Sequence, residues 1–196
     1  MSAIPAIKTE RLILAPTVAQ DEAALFAAKN DFEIVRMLAN VPWPLVASQR
    51  EPEATPGLLH FSVLLEGAPI GQITLKRAGS GEPARKMARL GYFLGRRYWG
   101  KGYASEALGA LVEAVFTRPG LSGDSGPAER IGAGVFTDNP ASRRVLEKLG
   151  FSRAGGYRLP CVSRHAEVEV DDMQITRHAF LRRAGANSKG LEGQTA

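Results

Sequence analysis

Residues 91–107 read Gly91-Tyr92-Phe93-Leu94-Gly95-Arg96-Arg97-Tyr98-Trp99-Gly100-Lys101-Gly102-Tyr103-Ala104-Ser105-Glu106-Ala107. A strand-forming run passes through a glycine turn into a run with helical spacing. Gly100 and Gly102 remove Cβ atoms where an anionic group would have to approach the backbone. The first amides of the following helix have no partner inside it and lie at the positive end of its dipole, and Arg97 and Lys101 add fixed charge. Strand, glycine turn, helix start and basic flanks together predict a phosphate cradle built from Arg97, Gly100, Lys101, Gly102, Tyr103, Ala104 and Ser105. The same glycines also fit a helix with an ordinary glycine-rich lead-in. Two familiar nucleotide loops fit poorly. Lys101 is followed by Gly102 where a Walker loop needs Ser or Thr, and Ser105 stands where a dinucleotide fingerprint needs glycine.

A second stretch, Phe136-Thr137-Asp138-Asn139-Pro140-Ala141-Ser142-Arg143-Arg144-Val145-Leu146-Glu147-Lys148-Leu149-Gly150-Phe151, has its own local logic. Asn139 suits a helix N-cap and Pro140 the first helical position. Val145, Leu146 and Leu149 make an apolar side, and Gly150 suits the C-terminal cap. A well-capped structural helix accounts for every one of these residues.

Both stretches need a scaffold. Thr9–Pro16 reads as a strand stopped by proline. Thr17 then opens a helix, with Gln20 completing a capping box and Ala24, Leu25 and Ala28 forming its stripe. Phe32–Leu38 has helical spacing, and Val41–Leu45 is a loop with Trp43 between two prolines. His60–Leu65 and Ile70–Lys76 are strands about the turn Glu66–Pro69, and Ala78–Lys86 is a polar connection. Met87–Leu94 is a strand and Tyr103–Thr117 a helix burying Ala104, Ala107, Leu108, Leu111, Val112 and Val115. After the glycine- and proline-rich loop Arg118–Ala128 come a strand at Arg130–Phe136, a helix at Pro140–Leu149 and a last strand at Glu167–Arg177. Ala184–Ala196 is a small-residue tail expected to be disordered. The order is mixed α/β (α+β), and both basic stretches fall at strand-to-helix junctions, where ligands bind in such sheets.

The chain has 196 residues, 44% hydrophobic and 23% charged, which excludes global disorder and favours one domain. One cysteine makes no internal disulfide and no Cys/His set has zinc spacing, so no metal and a reducing, cytoplasmic setting are expected. No run approaches the ~18 apolar residues of a membrane helix, and the first ten residues lack a signal-peptide core. The net charge of +5 is uneven. Residues 76–105 hold eight basic side chains against one acidic, and residues 139–160 five against one, while the segments before and between them are net acidic. Positive charge concentrated on the two motifs points to an anionic partner; a solvated basic face is the plain alternative.

Arg97-x-x-Gly100-x-Gly102 resembles the signature with which the GNAT acetyltransferase superfamily holds the pyrophosphate of acetyl-CoA. The wording Gly-Tyr-x-Leu through Tyr-Trp-Gly-Lys-Gly-Tyr-Ala, and the opening Thr9-Glu10-Arg11-Leu12-Ile13-Leu14, are similar to the branch containing the ribosomal-protein N-terminal acetyltransferases. Asn139-x-x-Ser142 followed by Leu149-Gly150-Phe151 looks like the superfamily's second cofactor motif. The resemblance spans about residues 7–180. It implies a GNAT-like single domain with a central, mostly antiparallel, splayed sheet flanked by helices. It implies pantetheine lying along the splayed strand at Phe93 and Leu94 like an added strand, an oxyanion donor among the backbone N–H groups of Gly91–Leu94, and Asn139 holding the pantetheine arm. Ser142 is the candidate proton donor to the sulfur; its plain alternative is a helical serine satisfying a nearby amide.

Acetyl transfer to an amine needs the amine neutral, which at pH 7 costs a lysine (~10.4) far more than an α-amine (~7.7–8.0). The oxyanion needs preorganised donors, each worth ~10²–10³ in rate. The thiolate needs little help, since a thiol titrates near ~8.5. No general base is fixed by spacing. Arg89 stands where similar enzymes often carry an acid, and Glu33, Glu66, His60, Tyr92 or a water chain are open, with His60 read first as structural. His165 and His178 fall in less diagnostic segments. Cys161 reads as an ordinary thiol. Trp43 either borders the acceptor pocket or anchors its loop, and Arg118–Ala128 either shapes the acceptor mouth or is a tolerated insertion. The expected activity is acetyl transfer from acetyl-CoA to an amine, a protein N-terminus or a small molecule, by direct attack in a ternary complex, in a monomer or homodimer. A non-catalytic CoA-binding sensor on the same scaffold is the alternative. A nucleic-acid binder is the weakest reading, because the cradle already accounts for the basic residues.

Overall fold

The computed structural model describes residues 4–46, 57–77, 87–118, 121 and 128–192. Strands β1 (Ile7–Lys8), β2 (Leu12–Pro16), β3 (Leu58–Leu65), β4 (Ala68–Lys76), β5 (Met87–Leu94), β6 (Arg130–Phe136), β7 (Ser152–Cys161) and β8 (Ala166–Thr176) form one sheet in the order β1-β2-β3-β4-β5-β6-β8-β7. Every pairing is antiparallel except β5 with β6. That exception follows from connectivity: a crossover helix, α3 (Tyr103–Thr117), joins the two strands, and a crossover returns the chain in the same direction. The mixed, mostly antiparallel sheet is the one the sequence leads to.

Helix α1 (Glu22–Lys29) and the single turn α2 (Phe32–Val35) cover one face, where Leu25, Ile34 and Phe93 form a small cluster. On the other face α3 buries Ala107, Leu108, Leu111, Val112 and Val115 against residues of β1–β6 and β8. Helix α4 (Pro140–Lys148) adds Leu146, and α5 (Arg177–Glu192) brings Phe180 to 5.3 Å from Phe116. Cys161 is buried and free, as an ordinary core thiol would be.

Four local expectations need revising. Thr9–Pro16 is not one strand: the chain turns at Thr9–Arg11, with the Thr9 N–H donating to the Leu12 carbonyl at 2.9 Å. Thr17 does not cap α1. Its hydroxyl accepts from Gln72 at 3.4 Å, and a 3₁₀ turn at Ala19–Asp21 precedes the helix, with Asp21 rather than Gln20 accepting from the Val18 N–H at 3.4 Å. Strand β7 was missed because it lies at the sheet edge, largely exposed, so it carries no burial alternation; its Pro160 and its irregularity at 153–155 are tolerated there. Beyond residue 184, α5 carries helical backbone to Glu192 through most of the segment expected to be disordered. The connection 78–86 and most of the loop 118–128 lie outside the described residues.

Candidate active site

Strands β5 and β6 are paired only from Met87 to Arg89 against Arg130 to Gly132. Past that point β5 continues to Leu94 beside β4, and β6 continues to Phe136 beside β8, so a wedge opens between them. The Gly95 N–H donates to the Ile70 carbonyl at 2.9 Å, which fixes the phase of the β4–β5 ladder. By antiparallel alternation, Gly91 and Phe93 turn their backbone groups to β4, and Leu90, Tyr92 and Leu94 turn theirs into the wedge. The Leu94 carbonyl is taken by the Trp99 indole N–H at 2.8 Å. The backbone N–H groups of Tyr92 and Leu94 therefore face the opening. The Phe93 and Leu94 side chains are both buried in the core, so only their backbone lies along the wedge.

The glycine turn sits at the wide end of the wedge. Gly100 (φ +72°) and Gly102 (φ +82°) both have left-handed backbone, which a side chain opposes. A Cβ on Gly100 would meet nothing within 4 Å, so packing does not demand this glycine; the backbone is open to an approaching group. The first intrahelical bond of α3 runs from the Glu106 N–H to the Gly102 carbonyl at 3.0 Å, leaving the amides of Tyr103, Ala104 and Ser105 ahead of it. Arg97 and Lys101 are exposed and lie 4.8 and 5.9 Å from the centre of the Tyr98 ring.

The turn between β1 and β2 braces this cradle. Glu106 accepts from the Thr9 hydroxyl at 2.6 Å, the Arg11 N–H at 2.8 Å and the Arg11 guanidinium at 2.7 and 2.6 Å. Burial works to raise the Glu106 carboxyl, but these hydrogen bonds and the Arg11 charge outweigh it and hold the group below the usual range. Arg11 also donates to the Lys101 carbonyl at 3.1 Å and stacks on Tyr103 at 4.6 Å. The Thr9-Glu10-Arg11-Leu12 opening thus supports the cradle from across the chain. Nothing in the sequence around Thr9 marks this role, because a contact between residues about 95 apart leaves no local signal.

Across the wedge, α4 starts as its sequence dictates, with the Asn139 side chain accepting from the Ser142 N–H at 3.0 Å. The Ser142 hydroxyl meets the Tyr92 phenol at 3.0 Å, which joins β5 to α4 over the opening. Burial pushes the Tyr92 phenol up, and the hydrogen bond to Ser142 only partly offsets this. A phenol that keeps its proton at neutral pH is a donor, not a base. Next to Ser142, Arg143 pairs with Asp171 of β8, which is 3% exposed and also accepts from Arg153 at 2.6 Å. That triad fixes the first turn of α4 to β7 and β8.

On the α1/α2 side, the named base candidates separate. Glu33 pairs with Arg36, and Glu66 (φ +52°) sits in the β3–β4 turn, away from the wedge. His60 shares a register line with Thr74 and Gly91, two strands from β5. Trp43 packs on Phe32, with ring centres 5.6 Å apart, as a loop anchor would. One acid near the wedge escaped the sequence. Asp172 of β8 pairs with Arg89 at 3.1 Å and accepts from Gln174 at 2.7 Å. Gly134 of β6 is its direct neighbour, and the Tyr157 hydroxyl of β7 fills the place a Cβ at Gly134 would take. Asp172 went unnoticed because only strand order brings β8 next to β6.

A family model described as an acetyltransferase (GNAT) domain matches residues 11–152. The chain is 30% identical over 165 residues to the uncharacterized N-acetyltransferase YoaA of Bacillus subtilis, covering 79% of this chain and 86% of that protein. The chain belongs to the GNAT acetyltransferase family. It is an N-acetyltransferase, and its relatives include the ribosomal-protein-serine acetyltransferase of Escherichia coli, 33% identical over 95 residues and 48% of each chain. The structure of AAC(6')-Ib in complex with ribostamycin and coenzyme A has a TM-score of 0.69 to this acetyltransferase at 25% identity, covering 88% of this chain and 97% of that one. A GNAT-family acetyltransferase from Bacillus anthracis shares the fold with a TM-score of 0.69 at 22% identity, covering 89% and 99%.

Proposed function

We propose that this acetyltransferase binds acetyl-CoA across the wedge and transfers the acetyl group to an amine entering from the α1/α2 side, by direct attack within a ternary complex. The observation that carries the reading is the cradle: two left-handed glycines, one with open space at its Cβ position, at the start of a 15-residue helix flanked by Arg97 and Lys101. Such a helix start suits a diphosphate, with the amides of Tyr103, Ala104 and Ser105 as donors and Lys101 and Arg97 as counter-charge. The wedge-facing backbone of β5 suits an extended pantetheine arm, which would lie along Phe93 and Leu94 as an added strand. Asn139 would contact the arm through the part of its carboxamide that does not cap α4.

Acetyl-CoA supplies the activated carbonyl. The backbone N–H groups of Tyr92 and Leu94 face the wedge and are the candidate donors to the oxyanion that forms when nitrogen attacks. As the C–N bond forms and the C–S bond breaks, the electron pair passes to sulfur, and Ser142 is the candidate donor to it. The amine must arrive neutral or lose its proton on the acceptor side. Asp172, with Arg89 and Gln174, is an acid on that side, so it is the group to vary first. The acceptor is an amine, either a protein N-terminus or a small molecule. The AAC(6')-Ib likeness supports a small-molecule amine, and the ribosomal-protein relative supports a protein N-terminus. The domain bounds proposed are residues 7–180. A single buried cysteine supports a reducing, cytoplasmic setting.

Isothermal titration with acetyl-CoA tests the cradle. Saturable binding is expected in the unaltered protein and its loss in Gly102→Asp, which puts a carboxylate where the diphosphate approaches. Unchanged affinity in that variant would refute the cradle. Thioester consumption with peptides and small amines separates the enzyme from a silent CoA sensor.

A further inference from the structure

We propose that Tyr92 is a positioning residue for Ser142, donating its phenolic proton to the Ser142 oxygen so that the serine's own proton points into the wedge. This rests on the reading of Ser142 as the donor to sulfur. A serine hydroxyl has one proton and two lone pairs, and its rotor turns to suit its neighbours. In the first turn of a helix such a hydroxyl is free to back-bond to the main chain and be lost to chemistry. Here the Ser142 N–H is already placed on Asn139 at 3.0 Å, and the hydroxyl is held by Tyr92 at 3.0 Å. The two residues come from β5 and α4, elements that flank the opening, and β5 and β6 have no register partners past Arg89 and Gly132. The hydrogen bond therefore ties together the two sides between which the reacting atoms would sit.

The direction of the bond decides the chemistry. The Tyr92 ring packs against the main core, and burial keeps its phenol protonated well into the alkaline range, so it stays a donor. With a lone pair occupied by Tyr92, the Ser142 oxygen keeps its single proton for another acceptor. The phenol does not itself protonate the leaving group. A thiolate whose thiol titrates near ~8.5 is too weak a base to take a proton from a phenol that burial holds above its ordinary value. No proton leaves Tyr92 in this scheme. The departing sulfur takes the electron pair of the C–S bond and accepts a hydrogen bond from Ser142, and the proton lost by nitrogen goes to solvent on the acceptor side. Tyr92 also directs its backbone N–H into the wedge, so one residue would orient the serine and supply an oxyanion donor.

A double-mutant cycle of Tyr92→Phe and Ser142→Ala tests this, with acetyl-CoA and the best acceptor from a panel of short peptides and polyamines. Tyr92→Phe keeps the ring and removes only the phenol oxygen. We expect it to lower kcat about 10-fold with less than about 2-fold change in KM for acetyl-CoA, the scale of one orienting hydrogen bond. In the Ser142→Ala background the same change should cost less than about 2-fold, and Ser142→Thr, which keeps a hydroxyl, should restore the dependence on Tyr92. Equal losses in both backgrounds, a loss confined to KM, or full kcat in Tyr92→Phe each overturn the proposal. Full kcat in Ser142→Ala overturns the reading of Ser142 itself, whereas a normal loss there with an additive Tyr92→Phe loss overturns only the coupling. Thermal unfolding of each variant separates these outcomes from misfolding.

Discussion

Replacing Glu106 by alanine removes the acceptor that ties the first turn of α3 to the Thr9–Arg11 turn. The loss can be sized from its partners. The Thr9 hydroxyl at 2.6 Å and the Arg11 N–H at 2.8 Å donate to a charged oxygen, each worth about 1.5 kcal/mol at the low end of that class. The Arg11 side chain is 41% exposed, so solvent screens its ion pair and it adds only about 0.5 kcal/mol. Together these predict a loss of about 2–4 kcal/mol at pH 7, read by urea unfolding. The pH dependence has a definite sign. Glu106 titrates below its ordinary value in the folded protein, so its contribution is complete above the usual glutamate range and fades as pH falls through the folded value. The gap between wild type and Glu106→Ala should therefore be smaller at pH 3 than at pH 7. A gap under about 0.5 kcal/mol at pH 7, or one unchanged at pH 3, refutes the reasoning. Because Arg11 also donates to the Lys101 carbonyl, the affinity for acetyl-CoA should weaken in the same variant.

Asp171→Asn removes a buried charge shared by Arg143 and Arg153 and should cost about 2–3 kcal/mol, discounted because Arg153 is 57% exposed; a scan should show a fall in Tm of about 5–10 °C, and a fall under 2 °C would contradict the triad's role. Gly71→Ala would place a Cβ against the Phe93 carbonyl and 2.8 Å from the Leu94 Cα, both backbone, so a loss of about 1–3 kcal/mol is expected by chemical denaturation, and a neutral result would show that β5 can shift.

Much of this protein is written locally. The helices Tyr103–Thr117 and Pro140–Lys148 and the strands Met87–Leu94 and Arg130–Phe136 lie where periodicity, proline and capping residues put them, because those signals act within a few residues. The glycine turn and the Asn139 cap were legible for the same reason. Strand β7 was not, since an edge strand buries too little to show alternation. The fate of Asp171 and Asp172 could not be read either. They are adjacent in sequence, yet one is bracketed by Arg143 and Arg153 and the other by Arg89 and Gln174. Successive residues of a strand point to opposite faces, and which partners wait on each face is set by strand order.

The sequence by itself determined the helices at 103–117 and 140–148, the strands that precede them, the glycine turn and the family resemblance, all of which depend on spacing along a short stretch. Only the tertiary structure decided that Tyr92 meets Ser142, that Glu106 holds the Thr9–Arg11 turn, and that an acid from β8 stands beside the wedge. Those contacts join residues 50 to 97 positions apart across separate elements, and their energy exists only once the sheet has brought the elements together.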